Sequence, residues 1–261
     1  MTLRIPRRSL LAIGAALPFA RFAQAAPCTL VAEQETGPFY IPDTALRSDI
    51  AEDRAGFPLA LRLRILDSRS CRPLPKAAVD IWQCDATGLY SGFTQSLPMG
   101  PPPGGPSSGG PPPGGRPPGD RPPGGRPPPI NKPSDALTFL RGVQLTDADG
   151  MVRFGTIFPG VYPGRTNHIH FKVRIAEAVA HTGQVFFPED VTLSLMQRAP
   201  YDSQRFRRTA QAEDGIFRGQ NGSASMAALR MTGDKAALIA DLTVAVDPTA
   251  TPAPVRGGPP R

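Results

Sequence analysis

Leu59-Ala-Leu-Arg-Leu-Arg-Ile-Leu66 alternates apolar side chains with other residues along its length. Because successive side chains on a strand point to opposite faces, every second residue from Leu59 to Ile65 lies on one apolar face. The other face carries Arg62 and Arg64, which belong in water. The stretch therefore predicts a β-strand with one face in a core and the other face exposed.

Further short apolar runs occupy 78–83, 139–145, 152–157, 168–175, 184–187, 191–196 and 238–246. Gly, Pro, Asp and Asn separate these runs, and Asp147-Ala148-Asp149-Gly150 predicts a hairpin turn. Many short strands with turns between them predict an all-β fold, an antiparallel β-sandwich with long loops and little helix. One helix is expected near 203–213.

The chain has 261 residues, and 40% of them are hydrophobic, which is enough for one substantial core. Its 33 Pro and 27 Gly are clustered, with 16 Pro and 10 Gly between 98 and 133. That segment has almost nothing to bury, so we expect a disordered loop with polyproline II character. It interrupts a single domain predicted at 26–247, and a disordered tail is expected at 248–261.

The net charge of +7 is not spread over the whole chain. Residues 1–25 carry four arginines and no acid, and 98–133 carry a net charge of +3, so the remainder is neutral. A neutral folded part has no general electrostatic attraction for nucleic acid. No apolar run approaches the ~20 residues that a membrane-spanning helix needs. Nucleic-acid binding and a membrane span are therefore not expected.

Residues 1–25 have the pattern of an export signal. Arg7 and Arg8 precede an apolar run at 10–17, and Ala23-Gln24-Ala25 fits a cleavage site. The arginine pair resembles a twin-arginine signal, with an ordinary secretory signal as the alternative. We expect a periplasmic or secreted protein.

Export permits disulfide bonds, and the chain has three cysteines, Cys28, Cys71 and Cys84. An odd number allows at most one intrachain bond. Cys71 and Cys84 flank an expected hairpin with poorly matched register, so the sequence favours Cys28–Cys71.

Two of the three histidines stand at His168-Ile169-His170. On a strand, positions i and i+2 point to the same face about 7 Å apart, so both imidazoles can reach one metal ion. Ile169 then packs on the opposite face. Alone, His-x-His is weak support for a metal site, because paired histidines also occur on surfaces.

Three other motifs accompany this pair. They are Glu35-Thr-Gly-Pro-Phe-Tyr40, Asp80-Ile-Trp-Gln-Cys-Asp-Ala-Thr-Gly-Leu-Tyr90 and Phe158-Pro-Gly-Val-Tyr-Pro-Gly-Arg165. Together and in this order, the four motifs resemble those of the intradiol ring-cleavage dioxygenases, the catechol and protocatechuate dioxygenase family. The likeness runs from about residue 34 to residue 187 and is strongest to exported, single-domain members.

The resemblance implies a non-haem Fe(III) ion bound by Tyr90, Tyr162, His168 and His170. It further implies cleavage of a catechol-type ring by O2 between the two hydroxyl-bearing carbons, giving a cis,cis-muconate-type product. In that scheme Tyr162 is the ligand that leaves when substrate binds and takes up a substrate proton. Phenolate is a hard anionic donor that favours ferric iron, and imidazole also suits iron.

The same resemblance assigns a catalytic role to Arg165, which would stabilise negative charge on the bound ring, and to Gln184, which would help to position the substrate. His181 lies outside the motifs and is expected at the surface. Trp82 is expected in the core, and Phe39 and Tyr40 are expected to anchor the N-terminal arm on the sandwich.

Two other functions remain open at this point. One is a non-catalytic, transthyretin-like β-sandwich binding module, and the other is a Zn- or Cu-binding protein that uses His168 and His170. Expected partners of the enzyme are a catechol-type small molecule and O2. A homodimer and contact of the Pro/Gly-rich loop with the cell envelope are left open.

Overall fold

The computed structural model describes residue 28 and residues 30–95, 132–176, 178–204, 206–234 and 236–250. The predicted signal peptide at 1–25, nearly all of the Pro/Gly-rich segment and most of the predicted tail lie outside this part of the chain. No helix within it is long and apolar enough to cross a membrane.

Eight strands form two four-stranded sheets, as the all-β prediction requires. The strands are β1 (Pro58–Asp67), β2 (Ala78–Trp82), β3 (Arg141–Leu145), β4 (Met151–Ile157), β5 (His168–Ile175), β6 (Ala178–Phe186), β7 (Ala228–Met231) and β8 (Leu238–Val246). One sheet has the order β4-β1-β8-β7 and the other β3-β2-β5-β6. All neighbours are antiparallel except β1 and β8, which run parallel.

The core lies between the two sheets. Leu61, Leu63 and Ile65 of β1 are fully buried, whereas the intervening Arg64 is exposed, which confirms the alternation predicted for this strand. From the other sheet, β5 contributes Ile169, Phe171 and Val173 to the same cluster. Burying such side chains stabilises the fold by about 1.5–3 kcal/mol each.

Two helices, α1 (Glu189–Met196) and α2 (Gly215–Gly219), follow β6. The strand predicted at 191–196 is therefore wrong. Pro188 precedes the helix, and Glu189 and Asp190 fill its first turn, both of which favour a helical start. Thr192 and Leu195 are buried three positions apart, which is the spacing of a helix and not of a strand.

The helix predicted near 203–213 is also wrong. The described residues there form irregular structure after a short 3₁₀ turn at Tyr201–Ser203. The helix begins only after Asp214, whose side chain accepts hydrogen bonds from the backbone of Ile216 and Phe217. The cap sets the start of the helix downstream of the predicted segment.

The turn at Asp147–Gly150 forms, but it joins β3 to β4, which belong to different sheets, so it does not close the predicted hairpin. The edge strand β7 was not predicted, because its four residues are mostly exposed and carry no clear alternation.

Cys28 and Cys71 form a disulfide, as the sequence favoured, and Cys84 is a buried free thiol. The disulfide fixes the beginning of the N-terminal arm, which we define as residues 30–57. The arm then runs beside the edge strand β6, where the backbone N–H of Gln34 donates to the carbonyl of Thr182 at 2.9 Å.

Candidate metal centre

Two loops bring the tyrosines together. Tyr90 ends the turn that follows β2, and Tyr162 lies on the loop that leads into β5. Gly88 has φ +89°, and a Cβ there would stand 2.2 Å from the carbonyl oxygen of Val161. Likewise, a Cβ at Gly160 would stand 2.4 Å from the carbonyl oxygen of Asp85. The loops interlock only because both positions are glycine.

The histidines share the outer face of β5, as their spacing predicted. The two Nε2 atoms of His168 and His170 are 3.1 Å apart, and the Tyr162 hydroxyl lies 3.1 Å from the Nε2 of His168. The Tyr90 ring stands edge-on to that of Tyr162, with centroids 5.6 Å apart, and is 6.5 Å from the ring of His170. All four predicted ligands therefore converge, and all four are buried.

The tautomer of His168 follows from its partners. Its Nδ1 lies 2.7 Å from the carbonyl oxygen of Thr166. A carbonyl can only accept, so Nδ1 carries the proton and Nε2 offers a lone pair to the centre of the cluster. The same arrangement orients histidine ligands in metal sites.

His170 is oriented by stacking instead. The indole of Trp82 lies parallel to its imidazole, with centroids 4.9 Å apart and planes at 4°. Trp82 is buried, as predicted, and the ring of Tyr40 packs 4.8 Å from it. Phe39, also buried, stacks on Tyr90 at 4.4 Å. The arm is thus anchored by Phe39 and Tyr40, as the sequence predicted, and it closes the cluster from outside.

Burial controls the protonation of the cluster. It raises the pKa of Tyr90 well above 10 and that of Tyr162 to about 12. It lowers the pKa of His168 to about 3 and that of His170 well below 6.5. Without a cation, the set is therefore two neutral phenols and two neutral imidazoles at neutral pH. A bound metal ion reverses this preference for the phenols, because its charge favours phenolate.

The cluster fits a metal ion in two respects. Neighbouring donors around an ion bound at about 2.1 Å stand roughly 3 Å apart, which matches the 3.1 Å separations observed. The Tyr90 hydroxyl is buried without a hydrogen-bond partner among the described residues. Such a group is costly unless something else binds there. Within the described ranges, no group of three or more His, Cys, Asp or Glu side chains could hold a metal. A metal at this cluster therefore needs the two tyrosines as well as the two histidines.

The two other predicted site residues lie against this cluster. Arg165 donates from Nη1 to the Tyr162 hydroxyl at 3.3 Å and from Nη2 to the side-chain oxygen of Gln184. Gln184 in turn donates to the carbonyl of Glu35 on the arm at 3.1 Å. Burial would lower the pKa of Arg165, but its electrostatic interactions with Tyr162 and with the Asp214 carboxylate outweigh burial and raise the pKa. The guanidinium is therefore a permanent positive charge beside the tyrosine.

Sequence reasoning missed Asp214, which is fully buried and lies 3.0 Å from the Nε of Arg165. Burial would raise its pKa, but Arg165 and the N–H of Thr166 outweigh burial and lower the pKa. No motif pointed to this residue, because it is 49 positions from its partner.

The expectation that His181 lies at the surface is wrong. It is 1% exposed, and its Nδ1 lies 2.8 Å from the carboxylate of Glu33 on the arm. The strand parity contained the signal, because His181 shares a face of β6 with Gly183 and the buried Val185. It takes no part in the Tyr/His cluster.

Comparison with solved structures gives strong matches. An intradiol ring-cleavage dioxygenase from Tetranychus urticae is 33% identical, with 87% of this chain and 98% of that chain covered and a TM-score of 0.71. A second solved dioxygenase is 33% identical over 86% of this chain and 97% of its own, with a TM-score of 0.73. The dioxygenase domain of a carbohydrate-binding fusion protein from Streptomyces sp. SirexAA-E shares the fold at 23% identity and a TM-score of 0.54.

Neither a scan against protein-family models nor a search of curated proteins finds a match. The matches to the two relatives at 33% identity nevertheless cover nearly the whole length of those proteins. With the cluster geometry described above, they establish that the chain belongs to the intradiol ring-cleavage dioxygenases and is an enzyme of that family.

Proposed function

We propose that the protein is an Fe(III)-dependent dioxygenase that cleaves a catechol-type ring between its two hydroxyl-bearing carbons, with O2 as co-substrate and a cis,cis-muconate-type diacid as product. The observation that carries the proposal is the convergence of Tyr90, Tyr162, His168 and His170 in one buried cluster. This set supports ferric iron, because two hard phenolate donors stabilise the higher charge and imidazole suits iron.

Bound ferric iron would supply Lewis acidity that draws electron density from the catechol ring and makes it reactive towards O2. The chain's own residues handle the protons and the surrounding charge. Tyr162, a phenolate when metal is bound, is the group that we assign to accept a substrate proton at its phenolate oxygen. Burial raises the pKa of Tyr162 in the metal-free protein, and a buried phenolate released from the metal is favoured to take up a proton for the same reason.

Arg165 and the arm complete the site. Arg165 points Nη1 at the Tyr162 hydroxyl, so its charge lies where the substrate oxygens would bind and can stabilise negative charge on the ring. Phe39 is 5% exposed and covers Tyr90, which keeps water from the donors on that side. A dry site strengthens each of these electrostatic interactions.

The proposal is tested by adding catechol to the purified, iron-loaded protein in an oxygen electrode cell. We expect one O2 consumed per catechol and both atoms of labelled O2 recovered in a muconate-type diacid. The His170→Ala variant serves as control and should consume none. Product cleaved beside the diol, or no O2 uptake with catechol, protocatechuate and hydroxyquinol, would exclude the proposed reaction.

Export is also part of the proposal. The arginine pair at Arg7 and Arg8 supports it, and so does the Cys28–Cys71 disulfide, since disulfides persist in oxidising compartments. In a bacterial host, a reporter fused to residues 1–30 should leave the cytoplasm, and lysines at both positions should retain it there. Export that survives this double substitution would favour an ordinary secretory signal.

A further inference from the structure

The guanidinium of Arg165 has each of its three donor positions held by a different residue. Nη1 donates to Tyr162, Nη2 to Gln184, and Nε to the Oδ2 of Asp214 at 3.0 Å. The side chain of Arg165 is 11% exposed and that of Asp214 is 0% exposed. A buried guanidinium needs a compensating charge, and Asp214 is the carboxylate that contacts it.

The two carboxylate oxygens of Asp214 have separate partners. Oδ1 accepts from the backbone N–H groups of Ile216 at 2.8 Å and Phe217 at 3.1 Å, and so caps α2. Oδ2 accepts from the Nε of Arg165 and from the backbone N–H of Thr166 at 2.9 Å. One oxygen therefore fixes the carboxylate to its own helix, and the other holds the loop that enters β5.

This division limits the freedom of the arginine. The guanidinium is planar, so anchoring its Nε and Nη2 fixes the direction of its remaining nitrogen. The fixed direction is towards the Tyr162 hydroxyl, 3.3 Å away. A bond at Nε alone, or at Nη2 alone, would leave the group free to turn about that bond. The pair of anchors, Asp214 and Gln184, aims the charge at the cluster.

We propose that Asp214 is a positioning residue for the dioxygenase reaction, which holds Arg165 so that its Nη1 faces the position where substrate oxygens bind. The inference rests on the proposed function. The positioning role extends the functional part of the chain to the segment after α1, which carries none of the four motifs. This segment acts on Arg165 through the Oδ2 of Asp214.

Because Oδ1 of Asp214 caps the helix and Oδ2 holds Arg165, a substitution can remove the contact with Arg165 and keep the cap. Asp214→Ser keeps a good helix cap but cannot reach Arg165, and Asp214→Asn keeps the shape while replacing one acceptor with a donor. For both we expect iron content as in the wild type, a fall in kcat of about 10- to 100-fold and a smaller change in KM. The matched control is Asp241→Ser, which removes an Arg–Asp contact with Arg62 on the other sheet and should leave kcat unchanged.

A second readout does not need activity. In the metal-free wild type, the Nε–H of Arg165 should give a nitrogen-15 NMR signal that exchanges slowly with solvent and is identified by its absence in Arg165→Lys. That signal should lose its protection in both Asp214 variants and keep it in Asp241→Ser. If an Asp214 variant fails to fold, the wild-type measurement still tests the proposal, because rapid exchange of this signal would overturn it.

The outcomes separate the two proposals. A wild-type protein that does not cleave catechols refutes the proposed function, whatever the NMR signal shows. An active wild type whose kcat survives both Asp214 substitutions within twofold refutes the positioning role. Rapid exchange of the Arg165 signal in the wild type refutes it as well.

Discussion

On its inner face, strand β5 packs Ile169, Phe171 and Val173 into the core between the sheets, whereas its outer face turns His168 and His170 towards the N-terminal arm. Both faces are almost fully buried, but the covering differs. The inner face is covered by the other sheet. The outer face is covered by the arm, which packs Phe39 and Tyr40 against the site, and by the residues around Asp214.

The difference shows how one strand can serve two purposes. On the apolar side, close packing is enough, and every contact contributes to stability. On the polar side, each buried group needs a hydrogen-bond partner, and most have one. Among the described residues, the groups that lack a partner on this side include the Tyr90 hydroxyl, the Nδ1 of His170 and the Nε1 of Trp82, which stacks on His170. This face is therefore arranged for ligand binding at some cost in stability.

The largest effect is expected from removing a ligand on the outer face. His170→Ala should lose bound iron and lower kcat/KM by more than about 1000-fold, since a catalytic metal contributes several kcal/mol of transition-state stabilisation. Metal analysis and O2 uptake measure both quantities. His181→Asn, which changes the third histidine, should keep its iron. Retention of iron and activity by His170→Ala would contradict the ligand assignment.

Phe171→Ala tests the inner face of the same strand. We expect the free energy of unfolding to fall by about 3–5 kcal/mol, as for other large core aromatic residues truncated to alanine. Denaturant titration measures it. The iron content of the folded fraction should stay as in the wild type, because Phe171 points away from the cluster. If this variant loses its iron while remaining folded, the two faces are not independent.

A smaller effect is expected at Gln184, which supports Arg165 without being an expected iron ligand. Gln184→Met should reduce kcat by about 10- to 100-fold and leave the iron content unchanged. Gln220→Met is the matched control, since Gln220 accepts from the backbone of Glu35 at 2.8 Å without contacting Arg165. Steady-state kinetics should place the control within about threefold of the wild type. Equal losses in both variants would show that Gln184 acts only by holding the arm.

The smallest effect concerns pH. In the metal-free protein, burial lowers the pKa of His168 to about 3. As pH falls below 6.5, this imidazole therefore gains a proton in the unfolded chain but stays neutral in the folded one. The stability of the folded state should then decrease by at most about 1.4 kcal/mol per pH unit from this residue, and be unaffected by it above pH 7. The quantity to measure is the difference in unfolding free energy between wild type and His168→Gln from pH 7 to pH 5. A difference that does not change with pH would contradict the burial of a neutral imidazole.

The inner face could be predicted from the sequence because it follows a period of two, from Leu59 to Ile65 on β1 and again on β5. The resemblance carried by the motifs implied the four converging residues, and strand parity alone predicted only that His168 and His170 share a face. Apart from Phe39 and Tyr40, the residues that cover the outer face could not be predicted. Asp214 and Glu33 reach their partners from distant segments, and neither apolar period nor local spacing reports such contacts. The run at 191–196 forms a helix for a local reason, because Pro188 and the acidic residues Glu189 and Asp190 favour a helical start over its short alternation.

The central claim is that Tyr90, Tyr162, His168 and His170 hold ferric iron, and visible absorption tests it most directly. The purified protein is assayed for iron, and its spectrum is recorded before and after catechol is added without O2. Tyrosinate bound to Fe(III) should give a broad visible charge-transfer band that shifts when catechol binds. A protein that stays colourless after ferric reconstitution, or that holds zinc or copper instead, would contradict the claim.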